Sequence, residues 1–219
     1  MTACGSRERA APDASQRQPL LIAAAADLAN LQKPLLEAFA SVGAAHAEFV
    51  LGSSGILARQ IEQGAPYDVY LSANQEYVRA LAQSGRLDAA TVRVYAVGRV
   101  GLWSRGQQVK ELKELASDAV VHVSMPNPAH APYGVAAREA LEKAGLWTKV
   151  ESKVVYGENV RQALQYAESG NAEVTLTAWS LIHDRGGVLL PAELYTPVLQ
   201  AGAAVRGSKR AEVARRFLE

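Results

Sequence analysis

Three short segments of this chain have the composition of anion-binding turns. Ala25-Ala26-Asp27-Leu28 leads a run of small residues into Asp27, a residue type that caps helices. Gly52-Ser53-Ser54-Gly55 sets two hydroxyls between glycines, whose backbone freedom lets hydroxyls and N–H groups face one point. Asn127-Pro128-Ala129-His130-Ala131-Pro132-Tyr133-Gly134 opens a third segment, which continues with helical spacing. The first turn of a helix carries unpaired N–H groups and the positive end of the helix dipole. Two or three such ends meeting at one point bind an anion without lysine or arginine. Taken singly, each segment is more simply a helix cap.

Other chemistries fit less well. Gly52-Ser53-Ser54-Gly55 lacks the G-x-S-x-G spacing of a nucleophile elbow. A serine hydrolase acting through Ser54 would need a base, and His183-Asp184 are sequence neighbours, which seldom meet as base and orienter. His46, His122, His130 and His183 are scattered, with no pair at metal-ligand spacing. There is no Walker or dinucleotide glycine pattern. The residues therefore argue for binding rather than catalysis, with no cofactor and no direct cation site.

The elements that must position these turns alternate. Residues 20–26, 47–51, 68–72, 94–103, 119–123, 174–177, 188–190 and 198–205 read as strands. Helical spacing runs through Leu28, Leu31, Leu35 and Phe39, and then over 56–63, 75–84, 135–144 and 160–169. A last helix starts near Ser208, and Val213 and Phe217 still hold its amphipathic spacing at the end of the sequence, an expected C-terminal truncation. Strand-helix alternation predicts an α/β fold with largely parallel strands and right-handed crossovers.

The 219 residues, 49% of them hydrophobic, suffice for two modest lobes. The net charge of +1 lacks the basic surplus of a nucleic-acid binder. The single cysteine, Cys4, excludes an internal disulfide. Met1-Thr2-Ala3-Cys4-Gly5-Ser6 looks like the end of a bacterial lipoprotein signal, without the apolar segment expected upstream. The expectation is a lipidated Cys4 at the cell envelope, followed by a disordered leader or tether over 1–19.

At these turns the chain resembles the periplasmic molybdate-binding proteins of ABC importers. The resemblance runs from about residue 20 to 219, on Ala24-Ala25-Ala26-Asp27-Leu28, Gly52-Ser53-Ser54-Gly55 with Leu57-Ala58-Arg59-Gln60-Ile61, Gly64-Ala65-Pro66-Tyr67-Asp68-Val69-Tyr70-Leu71-Ser72-Ala73, and Asn127-Pro128 through Ala131-Pro132-Tyr133-Gly134. It implies a type II periplasmic-binding-protein fold, with crossovers near 97–100 and 195–198. Lobe 1 would comprise 20–97 plus 198–219, and lobe 2 would comprise 98–197. The implied function is capture of molybdate or tungstate by a monomer that delivers it to a membrane permease. The implied ligand residues are Asp27, Ser54, Tyr133 and Val160, with Ser54 giving hydroxyl and N–H, and Tyr133 and Val160 giving N–H groups. Glu158-Asn159 is the expected cap before Val160.

Two positions depart from the family pattern. Members often carry serine or asparagine where Asp27 stands, and a carboxylate facing a dianion in a dry site is costly. Asp27 could turn away to cap its own helix, bind while protonated, or mark a different small anion as ligand. At Ala178 some members supply a tyrosine hydroxyl, which Tyr133 could replace in part.

Overall fold

The computed structural model describes residues 18–41 and 46–219. Cys4 and the leader up to residue 17 lie outside the described residues. In chain order the elements are β1 (Leu20–Ala25), α1 (Gln32–Ser41), β2 (Ala47–Gly52), α2 (Ser54–Glu62), β3 (Val69–Ser72), α3 (Gln75–Gln83), β4 (Arg93–Gly98), β5 (Val100–Ser104), β6 (Val123–Pro126), α4 (Pro132–Lys143), α5 (Trp147–Val150), β7 (Val154–Gly157), α6 (Val160–Ser169), β8 (Val174–Ala178), β9 (Val188–Leu189), β10 (Val198–Ala204) and α7 (Ala211–Leu218).

The strands assemble into two five-stranded sheets. One has the order β2-β1-β3-β10-β4, with β1 parallel to β2 and β3 while β10 runs antiparallel to β3 and β4. The other has the order β7-β6-β8-β5-β9, with β6 parallel to β7 and β8 while β5 is antiparallel to β8 and β9. These are the two lobes of an α/β fold. The chain passes from the first sheet to the second at Arg99 and returns before Val198.

Strand alternation explains why helices cover both faces of the first sheet. Leu20, Ile22 and Ala24 of β1 pack with Phe39 of α1 and Ala214 of α7. Ala23, on the opposite face, packs with Leu57 and Ile61 of α2 and with Val78 and Leu81 of α3. A strand buried on both faces suits the interior of a parallel sheet. Burying each large aliphatic side chain here contributes about 1.5–3 kcal/mol. The second lobe closes around Leu102, Val123, Met125, Leu141 and Leu176, and its core reaches Ala25, Ala26 and Ala73 of the first lobe.

Several features differ from the sequence expectation. The strand pairings are as often antiparallel as parallel, and the helical spacing from Leu28 to Phe39 is divided between a 3-10 turn and α1. The β-rich run over 94–103 is two strands in different sheets, divided at Arg99. The strand expected at 119–123 is instead Val123–Pro126, because Val121 is 57% exposed and only residues from Val123 onward pair with β7 and β8. The edge strand β7 gave no separate signal: Val154 and Val155 are half-buried, Tyr156 is exposed, and the three lack alternation.

Candidate functional site

The four implied ligand residues, Asp27, Ser54, Tyr133 and Val160, meet at one small cavity between the lobes. Its wall is completed by Ala25, Ala26, Gly52, Ser53, Ala73, Ala131, Pro132 and Asn159, and contains no lysine or arginine. The cavity volume is about 10 Å³, the room of about one water molecule. Drug-sized organic ligands occupy pockets of about 300–1,000 Å³.

Three helices point their N-terminal turns at this cavity. Ser54 is the first residue of α2, Tyr133 follows Pro132 at the start of α4, and Val160 is the first residue of α6. N–H groups in first turns have no intrahelical carbonyl to bond, and the three dipoles add positive potential where they converge. Proline at the first position of α4 fits because it has no N–H to satisfy there. Asn159 caps α6 as expected, its side-chain oxygen accepting from the N–H groups of Arg161 at 3.0 Å and Gln162 at 3.1 Å. The cap leaves the Val160 N–H to the cavity. The Val160 carbonyl accepts from the Thr177 hydroxyl at 2.9 Å, which ties this helix end to β8.

Ser54 is 1% exposed and its two polar ends are used differently. Its carbonyl accepts from the Tyr70 hydroxyl at 2.7 Å. Its Oγ accepts from the Ala73 N–H at 3.0 Å, which orients the hydroxyl and leaves its hydrogen to donate. Ser53, by contrast, faces the other lobe. Its Oγ donates to the His130 carbonyl at 2.5 Å and lies 2.9 Å from His130 Nδ1. Because the Ser53 proton goes to a carbonyl, the ring nitrogen donates to Oγ rather than taking a proton from it. The pair is a brace across the lobes, joined by Gly55 N–H donating to the His130 carbonyl at 2.9 Å. A side chain on Gly55 would overlap that carbonyl, so the approach requires glycine.

Asp27 does not cap a helix. It lies within a 3-10 turn, Ala26–Leu31, whose cap position is Ala25. Its Oδ2 instead accepts from Gln200 Nε2 at 2.5 Å and from the Tyr133 hydroxyl at 3.1 Å, and Gln200 also donates to the Tyr133 oxygen at 2.9 Å. Two strong donors already at hand from β10 and α4 outcompete a local cap. The Tyr133 hydroxyl is thereby committed to Asp27 and does not take over from the tyrosine missing at Ala178. Asp27 Oδ1 is buried without a partner among the described residues. Burial pushes the carboxyl up to about 6, against the lowering effect of the Gln200 and Tyr133 hydrogen bonds.

Gln200, Ala73 and Ser180 were not anticipated from the sequence. Ser180 Oγ donates to the Asp27 carbonyl at 2.7 Å, a further bond between lobes. The signal for Gln200 was one amide inside the apolar strand Val198–Ala204, where a buried polar group demands a partner.

Comparison with known proteins follows the same lines. The family described as bacterial extracellular solute-binding proteins matches residues 20–219. The molybdate-binding protein ModA of Rhodobacter capsulatus is 32% identical over 206 residues, covering 89% of this chain and 80% of that protein. The molybdate-binding protein ModA of Azotobacter vinelandii is 33% identical over 195 residues, covering 85% and 77%. Among solved structures, the periplasmic molybdate-binding protein of Azotobacter vinelandii superimposes with a TM-score of 0.84 at 28% identity, covering 91% of this chain and 90% of that one. With the family model matching residues 20–219 and the two-lobed architecture shared, this chain belongs to the bacterial extracellular solute-binding proteins.

Proposed function

We propose that this protein is the solute-capture component of an ABC importer and that it binds molybdate, or the near-isosteric tungstate, in the cavity between its lobes. The observation that carries this reading is the convergence of three helix N-terminal turns and the Ser54 hydroxyl on a small, cation-free cavity. A tetrahedral oxyanion there would accept from Ser54 Oγ and N–H and from the N–H groups of Tyr133 and Val160, with the Asp27 turn forming the remaining wall. Charge-assisted bonds of this kind offset the cost of stripping water from the anion. The molybdate-binding relatives support the choice of ion.

The remaining assignments belong to the same proposal. Residues 20–97 with 198–219 act as lobe 1 and residues 98–197 as lobe 2, in a monomer that delivers its ligand to a membrane permease. Lipidation at Cys4 would hold it at the cell envelope; no described helix is long and apolar enough to cross a membrane. A polar hollow shares Ala26 and Asn159 with the closed cavity and offers the anion a way in when the lobes part. The molybdate-binding relatives favour the oxyanion over an organic acid, and among the described residues no base bonds to the Ser54 hydroxyl.

Titration calorimetry with molybdate, tungstate and sulfate tests the reading. Molybdate and tungstate should bind with similar affinity and sulfate more weakly, because a donor cage set for the larger anions leaves bonds to sulfate long. No heat with any of the three would overturn it.

A further inference from the structure

We propose that anion capture takes up one proton, and that Asp27 carries this proton into the closed site. The inference rests on the oxyanion reading above and adds the protonation state of the complex. Asp27 is 2% exposed and lines the same cavity as Ser54, Tyr133 and Val160. Its Oδ2 accepts from two donors, Gln200 Nε2 and the Tyr133 hydroxyl, whereas Oδ1 has none among the described residues. A proton on this carboxyl therefore belongs on Oδ1. It converts the one orphaned acceptor of the site into a donor, the polarity an oxyanion requires.

The groups that face Asp27 leave its charge uncompensated. From α4 comes Tyr133, from β4 Tyr95, from β10 Gln200, and from the turn after β8 Ser180. Burial of their hydroxyl ends, then the charge of Asp27, holds both phenols well above their ordinary range, so they remain neutral donors. Arg93, Arg99 and Arg216 line a neighbouring groove that Asp27 also borders. Arg99 is engaged with the Tyr195 hydroxyl and the Leu190 carbonyl, and Arg93 with the carbonyls of Ala90 and Val92. Burial raises the Asp27 carboxyl, and the bonds from Gln200, Tyr133 and its own backbone lower it in part.

The free carboxyl, at about 6, is ionised at neutral pH. A dianion entering the same dry cavity raises it further by like-charge repulsion. Because the pKa of the complex then lies above that of the free protein, affinity is greatest below the free value. It falls as pH rises from about 6 towards the pKa of the complex, by about tenfold per pH unit for one linked proton.

Calorimetric titration with molybdate at pH about 7.5, in buffers of different ionisation enthalpy, reads the proton number directly. The wild-type protein should take up close to one proton per anion, and its Kd should rise with pH through this range. Asp27→Asn should bind with no proton uptake and a flat pH profile. Wild-type binding with zero proton uptake overturns the proposal and leaves the oxyanion reading standing. Absence of binding to any of the three anions overturns the oxyanion reading itself. Should Asp27→Asn fail to fold, the wild-type proton number still decides.

Discussion

The Ser54 hydroxyl is oriented by a bond made within the protein itself. Its Oγ accepts from the Ala73 N–H, so the hydroxyl hydrogen is already directed away from that bond. A hydrogen bond to a charged group contributes about 1.5–3 kcal/mol, so Ser54→Ala should weaken molybdate binding by about 10- to 100-fold in calorimetry. It should also lower the melting temperature, since the Ala73 N–H loses its acceptor. Unchanged affinity in a folded Ser54→Ala protein would remove this residue from the site. The place of Ser54 at a strand-to-helix turn was legible in the sequence, from two hydroxyls between glycines after a strand. The roles of Asp27 and Gln200 were not. Their residue types and numbers say nothing of a bond spanning 173 positions, and the cap expected of Asp27 gave way to stronger tertiary partners.

At the scale of elements, the site depends on helix ends rather than on loops. The start of α6 is held by Asn159 from outside the helix and by Thr177 from β8. Removing the cap as Asn159→Ala costs about 1 kcal/mol, which for a chain of this size lowers the melting temperature by about 2–4 °C. Asn159→Asp keeps the cap but adds a negative charge to the cavity wall. It should therefore preserve the melting temperature and weaken anion binding in calorimetry. Equal loss of stability and affinity in the two variants would contradict this division. The helices α2, α4 and α6 were readable from periodicity to within a few residues. The division at Arg99 was not readable from the β-rich run itself, because strands on either side of a crossover share one composition; it entered only through the resemblance to a known family. Packing accounts for the junction: a side chain on Gly98 would overlap the Tyr133 hydroxyl, so the first crossing fits closely against the second lobe.

At the scale of the whole molecule, the lobes are held together around the cavity. Asp27, Gln200, Ser53, Gly55 and Asn30 of the first sheet and its flanking helices all bond to Tyr133, His130 or Ser180 of the second. This is a closed form, and an anion enters only if the lobes part. The donors proposed for the ligand come from both lobes, so no single lobe offers the full set. The two-lobed α/β architecture was legible from strand-helix alternation together with family resemblance, whereas the degree of closure is a property of side-chain contacts between distant segments. A crystal structure of the protein with tungstate, located by its anomalous scattering, would show the ligand outright. One peak is expected between the lobes, with oxygens within hydrogen-bonding distance of Ser54 Oγ and the N–H groups of Ser54, Tyr133 and Val160. A peak elsewhere, or none with tungstate bound in solution, would contradict this placement.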